Sequence, residues 1–258
     1  MEIHPAAVVN PGAVLGERTS VGPYAVIGDR VILGADCHVG SHVVIEGPIE
    51  VGDRCTFYPF SSIGFPPQDL KYKGEDTSVV IGHDNVFREY VTVNRGTALG
   101  HGRTIIGNWN FIMAYSHIAH DCVLGDHIIL ANAATLAGHV TIEDHATIGA
   151  FSGVHQFCTI GTHGFVGGYS VITKDVLPYS KTVSARDAKN YGVNVLGLER
   201  KGFSPESIHT IRLAFRVILQ SHLNTSQALE VLTREFTNCP EVDLIIKFIE
   251  RSQRGVIK

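Results

Sequence analysis

Residues 21–45 read VGPYAVIGDRVILGADCHVGSHVVI, and this stretch decides the fold because it repeats every six residues. Every sixth residue is large and apolar, and glycine follows most of them: Val21, Ile27, Leu33, Val39 and Ile45. A helix repeats its apolar residues at about 3.6 positions and a strand at about 2, so neither explains this period. A short strand followed by a turn does, and three such units close a triangular coil of about 18 residues. The stretch therefore predicts a parallel β-helix, in which strands of successive coils pair.

The same period extends in both directions. It starts at Ile3, runs to Ile63, resumes at Ile81, and continues after a one-residue phase slip from Ile106 to Ile172. The residue two positions before each apolar one should also face the narrow interior, where small side chains fit. Four of the five cysteines occupy this column: Cys37, Cys55, Cys122 and Cys158. Because the cysteine count is odd and no C-x-x-C pair occurs, we expect reduced thiols that fill the core.

Two segments interrupt the repeat, at residues 65–80 and 98–105. Loops that leave a rigid scaffold often carry function. The first segment is the better candidate, because it contains two lysines together with acidic and aromatic side chains.

Helix signals follow the end of the repeat near Pro178. Ser204-Pro205-Glu206 is typical of a helix start, and further starts are predicted at Thr225 or Ser226 and at Pro240. We therefore expect an all-β solenoid over residues 1–186 and a C-terminal α-helical domain over residues 187–258. The helices would cover the open end of the coil, where unpaired strand edges would otherwise be exposed.

The composition is that of a folded protein without a global basic surface. Hydrophobic residues make up 44% of the 258 residues and charged residues 18%, with a net charge of −4. These values exclude a disordered chain and give no indication of nucleic acid binding. The N-terminal residues do not resemble a signal peptide, and no apolar run approaches the roughly 20 residues of a membrane span. We expect a cytoplasmic protein with no nucleic acid partner and no membrane span.

Three of the 14 histidines align on successive coils. His120, His139 and His155 are separated by 19 and 16 residues, and His117 lies three positions before His120. These are outward positions, so we expect the rings to gather at one edge of the coil, next to Asp121. A histidine beside a carboxylate is well suited to act as a general base near neutral pH.

A second column consists of His127, His145 and His163, spaced by 18 residues. Because no acid or other polar cluster accompanies it in the sequence, we interpret its members as hydrogen-bonded or solvated turn residues. The first histidine group could instead bind zinc, which needs three convergent ligands. Its spacing differs from that of the metal-dependent carbonic anhydrases built on hexapeptide repeats, so neither a metal nor another cofactor is predicted.

Seven short motifs lie along nearly the whole chain: Gln68-Asp69-Leu70-Lys71-Tyr72, Arg95-Gly96-Thr97, His117-Ile118-Ala119-His120-Asp121, Leu136-Ala137-Gly138-His139-Val140, Val154-His155-Gln156-Phe157-Cys158, Gly192-Val193-Asn194 and Arg200-Lys201-Gly202-Phe203. Together they resemble the bacterial acyl-carrier-protein–UDP-N-acetylglucosamine O-acyltransferases, which begin lipid A synthesis. The resemblance implies a left-handed coil and a homotrimer with active sites between neighbouring subunits.

The resemblance also implies a catalytic group. His120 would take a proton from the sugar 3-hydroxyl, which attacks the thioester of a 3-hydroxyacyl carrier protein. Asp121 would orient His120, and the backbone N–H of Gly138 would stabilise the oxyanion.

Further positions of the family's motifs imply substrate contacts. Gln68, Asp69 and Lys71 would contact the sugar and phosphates from a loop that reaches over from the neighbouring subunit. Phe165 and Gly168 would line the pocket for the acyl chain. An acidic carrier protein would dock on Arg200, Lys201, Lys71 and Lys73. The remaining substrate-positioning residues implied by the resemblance are His117, His139, His155, Gln156, Asn194 and Arg200.

Three departures from the family's pattern leave the acceptor open. Asn94 replaces a common histidine, Ser184-Ala185-Arg186 replaces a usual Gly-Asn-Pro, and Leu196 replaces a common acid. The acceptor is therefore UDP-N-acetylglucosamine or a UDP-sugar with a 3-amino group. Other hypotheses are the related N-acyltransferase, which Ile3 disfavours because it already lies in register, a metal-dependent hydratase, and a purely structural solenoid.

Overall fold

The computed structural model describes residues 2–183, 188–221 and 223–257, and it contains three stacks of short parallel strands. Strands of one stack are 18 residues apart in most coils, as in the pairing of Ile129 with Thr147. The predicted left-handed parallel β-helix with C-terminal helices is confirmed. Sheet 1 contains Glu2–Ile3, Ser20–Val21, His38–Val39, Thr56–Phe57, Val86–Phe87, Phe111–Ile112, Ile129–Leu130, Thr147–Ile148, Phe165–Val166, Ser180–Val183 and, antiparallel at its end, Lys189–Val193.

The other two sheets complete the triangle. Sheet 2 contains Val8–Val9, Val26–Ile27, Val44–Ile45, Ser62–Phe65, Thr92–Asn94, His117–Ile118, Thr135–Leu136, Gly153–Val154 and Val171–Ile172. Sheet 3 contains Val14–Leu15, Val31–Leu33, Ile49–Val51, Ser78–Ile81, Arg103–Ile106, Val123–Leu124, Thr141–Ile142 and Thr159–Ile160. The predicted core is confirmed from Val21 onward, where the apolar column is buried, whereas Ile3 is exposed and Val9 and Leu15 are half-buried at the open N-terminal end. Cys37, Cys55, Cys122 and Cys158 are buried free thiols, as predicted.

Most corners of the coil are made by a residue with left-handed backbone conformation. Such residues recur every six positions, for example Tyr24 at φ 59°, Arg30 at φ 52° and Asp36 at φ 58°. β-Branched residues are strained in this conformation, and none is found among the non-glycine residues of positive φ in the described chain. The conformation also turns the side chain outward, so corner residues of successive coils can stack on one another.

Two columns of corner residues are aromatic ladders. The corner between sheets 1 and 2 carries Tyr24, His42, Phe60, Tyr90 and Tyr115, with ring centroids 4.8–5.1 Å apart. The corner between sheets 3 and 1 carries the second predicted histidine column. His127, His145 and His163 are stacked there 4.6–4.7 Å apart, between Trp109 and Tyr179. They are thus members of a ring stack and not isolated turn residues.

The third corner, between sheets 2 and 3, is where both interruptions leave the coil. The first is the loop 66–77, between strands that end at Phe65 and start at Ser78. The second covers residues 95–102, because residues 103–105, predicted to be loop, form a strand paired with Ser78–Ile81. The first interruption is therefore shorter than predicted, and the second begins and ends earlier. In both, pairing with the neighbouring coil draws the last residues into a strand.

The C-terminal region contains helices α1 (Val195–Arg200), α2 (Pro205–Gln220), α3 (Thr225–Glu235) and α4 (Pro240–Arg251). The three predicted helix starts are confirmed, and the Ser204 side chain caps α2 by accepting from Ser207 N. Helix α1 was not predicted, because it is short and contains glycine. The helices pack on a separate apolar cluster that includes Leu177 and Tyr179 at the end of the coil.

The predicted division between residues 186 and 187 stays a prediction, because residues 184–187 lie outside the described chain. On its C-terminal side, Lys189–Val193 still pairs with the last strand of the coil. None of the described helices has the length and apolar character needed to cross a membrane.

Candidate active site

His120 and Asp121 form a hydrogen-bonded pair at the corner between sheets 2 and 3. His120 Nδ1 lies 2.9 Å from Asp121 Oδ2, and the Asp121 side chain is completely buried. The pair arises because Asp121 is a corner residue with φ 59°, so that the chain turns sharply directly after His120. With Nδ1 engaged by the carboxylate, Nε2 is the nitrogen left to exchange a proton with a substrate.

The second interruption surrounds the Asp121 carboxylate with donors. Thr97 N donates at 3.0–3.1 Å, Thr97 Oγ1 at 2.7 Å and His101 N at 2.9 Å. Burial alone would raise the pKa of Asp121, but the hydrogen bonds from Thr97 and His120 outweigh it and lower the pKa. Asp121 is therefore ionised at neutral pH. Thr97 and His101 were not predicted as site residues, although Arg95-Gly96-Thr97 was among the family motifs.

His139 and His117 flank the pair, as predicted. The His139 ring meets the His120 ring edge to face at 5.2 Å, and its Nε2 lies 3.9 Å from Asp121 Oδ2. Burial lowers the pKa of His139 despite the opposing charge of Asp121. Burial, followed by repulsion from His120, also lowers the pKa of His117, whose Nδ1 lies 2.7 Å from Thr92 Oγ1. Both imidazoles are therefore neutral at pH 7 and present one donor and one acceptor each.

Gly138 lies directly against the His120 ring. A Cβ atom at this position would be 2.4 Å from His120 Cε1 and 2.6 Å from Nε2, so any larger residue would displace the ring. Among the described residues, nothing accepts a hydrogen bond from the Gly138 N–H. A free N–H beside the available imidazole nitrogen is the arrangement that an oxyanion donor requires.

His155 and Gln156 follow on the next coil. Their turn is tied to Gly138 by a hydrogen bond from Phe157 N to Gly138 O at 3.3 Å, and the Phe157 ring stacks on His139 at 4.6 Å. Both side chains are exposed, and His155 Nδ1 lies 3.1 Å from the Gln156 carbonyl oxygen. They border the histidine group without contacting His120.

The loop 66–77 lies at the same corner. The Asp69 charge acts on His139 of its own chain and tends to raise the His139 pKa, as the smallest of five effects. Loop and histidines leave the coil at one corner, so the loop lies beside the histidines of its own chain, and the expectation that it serves a neighbouring subunit stays a prediction. Asn94 Nδ2 fixes the start of the loop by donating to Pro66 O at 2.8 Å. Gln68 and Lys71 are exposed on it.

The ligand atoms of His120, Asp121 and His139 lie within 4.8 Å of one another, which is compact enough for a metal ion. However, His120 Nδ1 and Asp121 Oδ2 point at each other, and both carboxylate oxygens also accept from N–H groups. A metal would have to replace these hydrogen bonds. The geometry therefore favours a histidine–aspartate base over a metal centre.

All but one of the remaining predicted residues lie on the opposite side of the coil. Asn194, Arg200 and Phe165 line a cleft of about 560 Å³ on sheet 1, together with His145 and His163. We call it the sheet-1 cleft. The spacing of the second histidine column does not predict that it belongs to this cleft, because the cleft is closed by residues 193–201, which are distant along the chain.

Sheet 1 is the side of the triangle that faces away from the corner of His120. Gly168 lies at neither place, since it precedes Tyr169 at the corner between sheets 1 and 2. A Cβ atom on Gly168 would be 3.2 Å from Ala150 O. One chain therefore brings together His117, His120, Asp121, Gly138 and His139, but it does not bring the sheet-1 cleft or Gly168 to them.

A β-helix of six-residue repeats with a histidine–aspartate base on one corner defines an acyltransferase of the hexapeptide-repeat class. The family model described as UDP-N-acetylglucosamine O-acyltransferase, domain 2, matches residues 175–257. The chain belongs to the family of acyl-(acyl-carrier-protein)–UDP-N-acetylglucosamine O-acyltransferases. It is 50% identical to the member from Trichlorobacter lovleyi and 46% identical to that from Thermodesulfovibrio yellowstonii, covering all of this chain and 99–100% of each relative.

Solved structures agree with this assignment. The UDP-N-acetylglucosamine O-acyltransferase of Moraxella catarrhalis is 41% identical over all of both chains, with a TM-score of 0.96. The UDP-N-acetylglucosamine acyltransferase of Arabidopsis is 35% identical over 99% of this chain and 100% of its own, with a TM-score of 0.87.

The sheet-1 cleft makes stability depend on pH through His163. Burial, together with His145 and Lys201, lowers the His163 pKa from 6.5 to about 4, although Asp144 opposes the shift. Between these values the unfolded chain binds one more proton, so the free energy of unfolding falls as the pH falls from about 6.5 to about 4. His163→Phe keeps a ring in the ladder, and the free energy of unfolding of this variant should depend less on pH between about 6.5 and about 4. Urea unfolding at pH 7 and pH 5 measures the free energy of unfolding of both proteins. A difference between the two pH values that is as large in the variant as in the wild type would contradict the role of His163.

Proposed function

We propose that the protein transfers a 3-hydroxyacyl chain from acyl carrier protein to the glucosamine 3-position of UDP-N-acetylglucosamine, the first step of lipid A biosynthesis, in the cytoplasm. The observation that supports this most is the His120–Asp121 pair, whose free Nε2 lies beside the unpaired N–H of Gly138. Family membership supplies the substrates. The five free cysteines fit a reducing compartment.

The pair and the glycine supply the groups that the chemical step of acyl transfer needs. His120 Nε2 removes the proton from the sugar 3-hydroxyl while its oxygen attacks the thioester carbonyl carbon. The Gly138 N–H donates to the oxyanion, and Asp121 stabilises the imidazolium through Nδ1. When the tetrahedral intermediate collapses, the carbon–sulfur bond breaks and His120 returns the proton to the thiolate. The products are the 3-O-acyl sugar nucleotide and the free carrier thiol.

The distribution of charged and aromatic side chains over the three sheets supports a homotrimer. The outward positions of sheet 2 carry no Asp, Glu, Lys or Arg over nine strands, whereas sheet 1 presents Glu2 and Lys181 and sheet 3 presents Glu50. One edge of sheet 2 is the exposed aromatic ladder and the other is the corner of His120. Such an uncharged, partly aromatic face is typical of a buried interface.

Three copies with sheet 2 facing a common axis would close this surface as a ring. The corner of His120 in one chain would then meet the aromatic ladder and Gly168 of the next. Sheet 3 of the first chain would face the sheet-1 cleft of the second. In this arrangement Asn194 and Arg200 hold the nucleotide of a substrate whose sugar reaches a different chain's His120. Phe165 in this cleft, and Gly168 at the corner between sheets 1 and 2, would border the acyl chain.

Residues at the corner of His120 would position the sugar. Asp69, Gln68 and Lys71 lie on the loop above it, and His117, His139, His155 and Gln156 surround it. Asn94 supports the loop, and its Oδ1 is buried without a hydrogen-bond partner among the described residues. Leu196 is exposed in the sheet-1 cleft, while residues 184–186 lie outside the described chain. We assign the 3-hydroxyl acceptor, and the same base can also deprotonate a 3-ammonium group.

The carrier protein would dock on a basic surface that differs from the predicted one. Residues 181–220 contain seven Lys or Arg and three Asp or Glu, a net charge of +4, which leaves −8 for the rest of this chain of net charge −4. Arg212 and Arg216 line a second cleft of about 620 Å³ that adjoins the sheet-1 cleft through Val193 and Val195. Lys71 and Lys73 lie instead on the loop at the other corner.

No described lysine or arginine between residues 181 and 220 takes part in an ion pair with another described residue. Exposed cations without partners attract an acidic protein and mainly accelerate its association. We therefore assign the docking surface to Arg200, Lys201, Arg212 and Arg216. A carrier bound there can pass its thioester arm along the sheet-1 cleft.

Removing the base tests the function. His120→Ala should lower kcat by about 10²- to 10⁴-fold, because no other described group holds a free nitrogen beside Gly138. His38→Ala, an exposed histidine on an N-terminal coil of sheet 1, is the matched control and should keep the rate. The assay combines UDP-N-acetylglucosamine and its 3-amino analogue with 3-hydroxyacyl carrier proteins of several chain lengths. Near-wild-type turnover by His120→Ala would refute the mechanism. A preference for the 3-amino sugar would show that the acceptor is this sugar and not UDP-N-acetylglucosamine.

Charge reversal tests the docking surface. Arg212→Glu with Arg216→Glu should raise KM for acyl carrier protein about tenfold or more at low salt, with kcat retained. Turnover of a small acyl-pantetheine thioester should not change, because it makes no contact with that surface. Arg234→Glu, an exposed arginine elsewhere in the cap, is the control. An unchanged KM for the carrier protein would place docking elsewhere.

A further inference from the structure

The interruption at residues 95–102 surrounds the carboxylate of Asp121 with hydrogen-bond donors. Thr97 contributes both its N–H and its hydroxyl, and His101 contributes its N–H. Thr97 is 6% exposed and Asp121 is 1% exposed, so water does not compete for these bonds. Hydrogen bonds from three donors fix both the position and the rotation of a carboxylate.

Glycines in this interruption allow the close approach. A Cβ atom on Gly100 would lie 2.4 Å from the Asp121 carboxyl carbon and 2.4 Å from Oδ1. A Cβ atom on Gly96 would lie 2.2 Å from Arg103 N, so the two ends of the interruption also close tightly. The chain thus wraps around the carboxylate with its backbone and leaves no room for another side chain there.

Connecting one strand of the coil to the next would not by itself require hydrogen bonds from an inserted segment to the Asp121 carboxylate. Carboxylates at turns elsewhere bind the residue directly beneath them on the neighbouring coil: Asp126 accepts from Asn108 N at 2.6 Å and from Asn108 Nδ2 at 3.0 Å, and Asp144 accepts from Asp126 N at 2.9 Å. At Asp121 the donors come from an inserted segment, and the carboxylate they hold is the partner of His120. The insertion therefore acts on one residue of the site.

We propose that Thr97, with Gly100 and the His101 N–H, is a positioning element that fixes the Asp121 carboxylate and through it the orientation and tautomer of His120. The inference rests on the proposed function for its effect on rate, but its structural claim is independent. Asp121 can hold the proton on His120 Nδ1, and keep Nε2 as the acceptor, only while its own oxygens point at Nδ1. Thr97 is a positioning residue and does not touch the substrate.

The test removes the hydroxyl without changing the shape. Thr97→Val should lower kcat about tenfold with KM unchanged, because one charge-assisted hydrogen bond is lost. Thr97→Ser restores the hydroxyl and should recover the rate to within about twofold. Thr19→Val removes another buried hydroxyl, which donates to Gly34 O at 2.8 Å, and should affect stability alone. A wild-type kcat for Thr97→Val would overturn the proposal.

Two further measurements separate this inference from the function. In an Asp121→Asn background, Thr97→Val should cause no additional loss of kcat, and a full additional loss would overturn the proposal. Nitrogen-15 spectra of labelled histidine report the His120 tautomer without any turnover. They should show the proton on Nδ1 in the wild type and a mixture in Thr97→Val or, should that variant not fold, in Gly100→Ala. An unchanged tautomer would overturn the inference, whereas absence of acyl transfer by the wild type would overturn only the proposed function.

Discussion

The left-handed residue that recurs at most corners is the constraint on which the rest of the structure depends. It closes the coil after three strands, so residues one coil apart become neighbours in parallel pairs. It also fixes which side chains leave the coil and in which direction. The same rule that stacks His127 on His145 brings His120 against Gly138 and His139. The active-site corner is therefore one of three equivalent columns, distinguished by what the insertions add to it.

The insertions obey the register of the coil. Phe57 pairs with Phe87, 30 positions on, and Phe87 pairs with Ile112, 25 positions on, instead of the usual 18. The two interruptions thus add 12 and 7 residues while the strands on either side remain stacked. Both additions emerge at the corner between sheets 2 and 3. One carries Asp69 above the histidines and the other supplies Thr97 to Asp121, so the site is a regular scaffold supplemented at one edge.

The sequence predicts what the six-residue period controls and little else. The fold, the buried cysteines and the proximity of His120 to His139 follow from counting positions around the coil. The contact of Thr97 with Asp121 does not, because it depends on how a seven-residue addition folds back on the next coil. Helix α1 and the sheet-1 cleft are likewise absent from the pattern, since they need the chain to return from its C-terminal region. The roles of Asn194 and Arg200 rest on family motifs, which specify residues but not the side of the coil on which they lie.

The separation of His120 from Arg200 across the coil carries the central claim, that a complete site requires two chains. Mixing chains tests it directly. His120→Ala and Arg200→Ala chains should each have little activity alone, and co-assembled particles should regain it, because about a quarter of the sites in random trimers would combine an intact His120 with an intact Arg200. Activity well above both parents at equal total protein is the expected result. Co-assembled particles that stay as inactive as their parents would show that each chain builds its site alone.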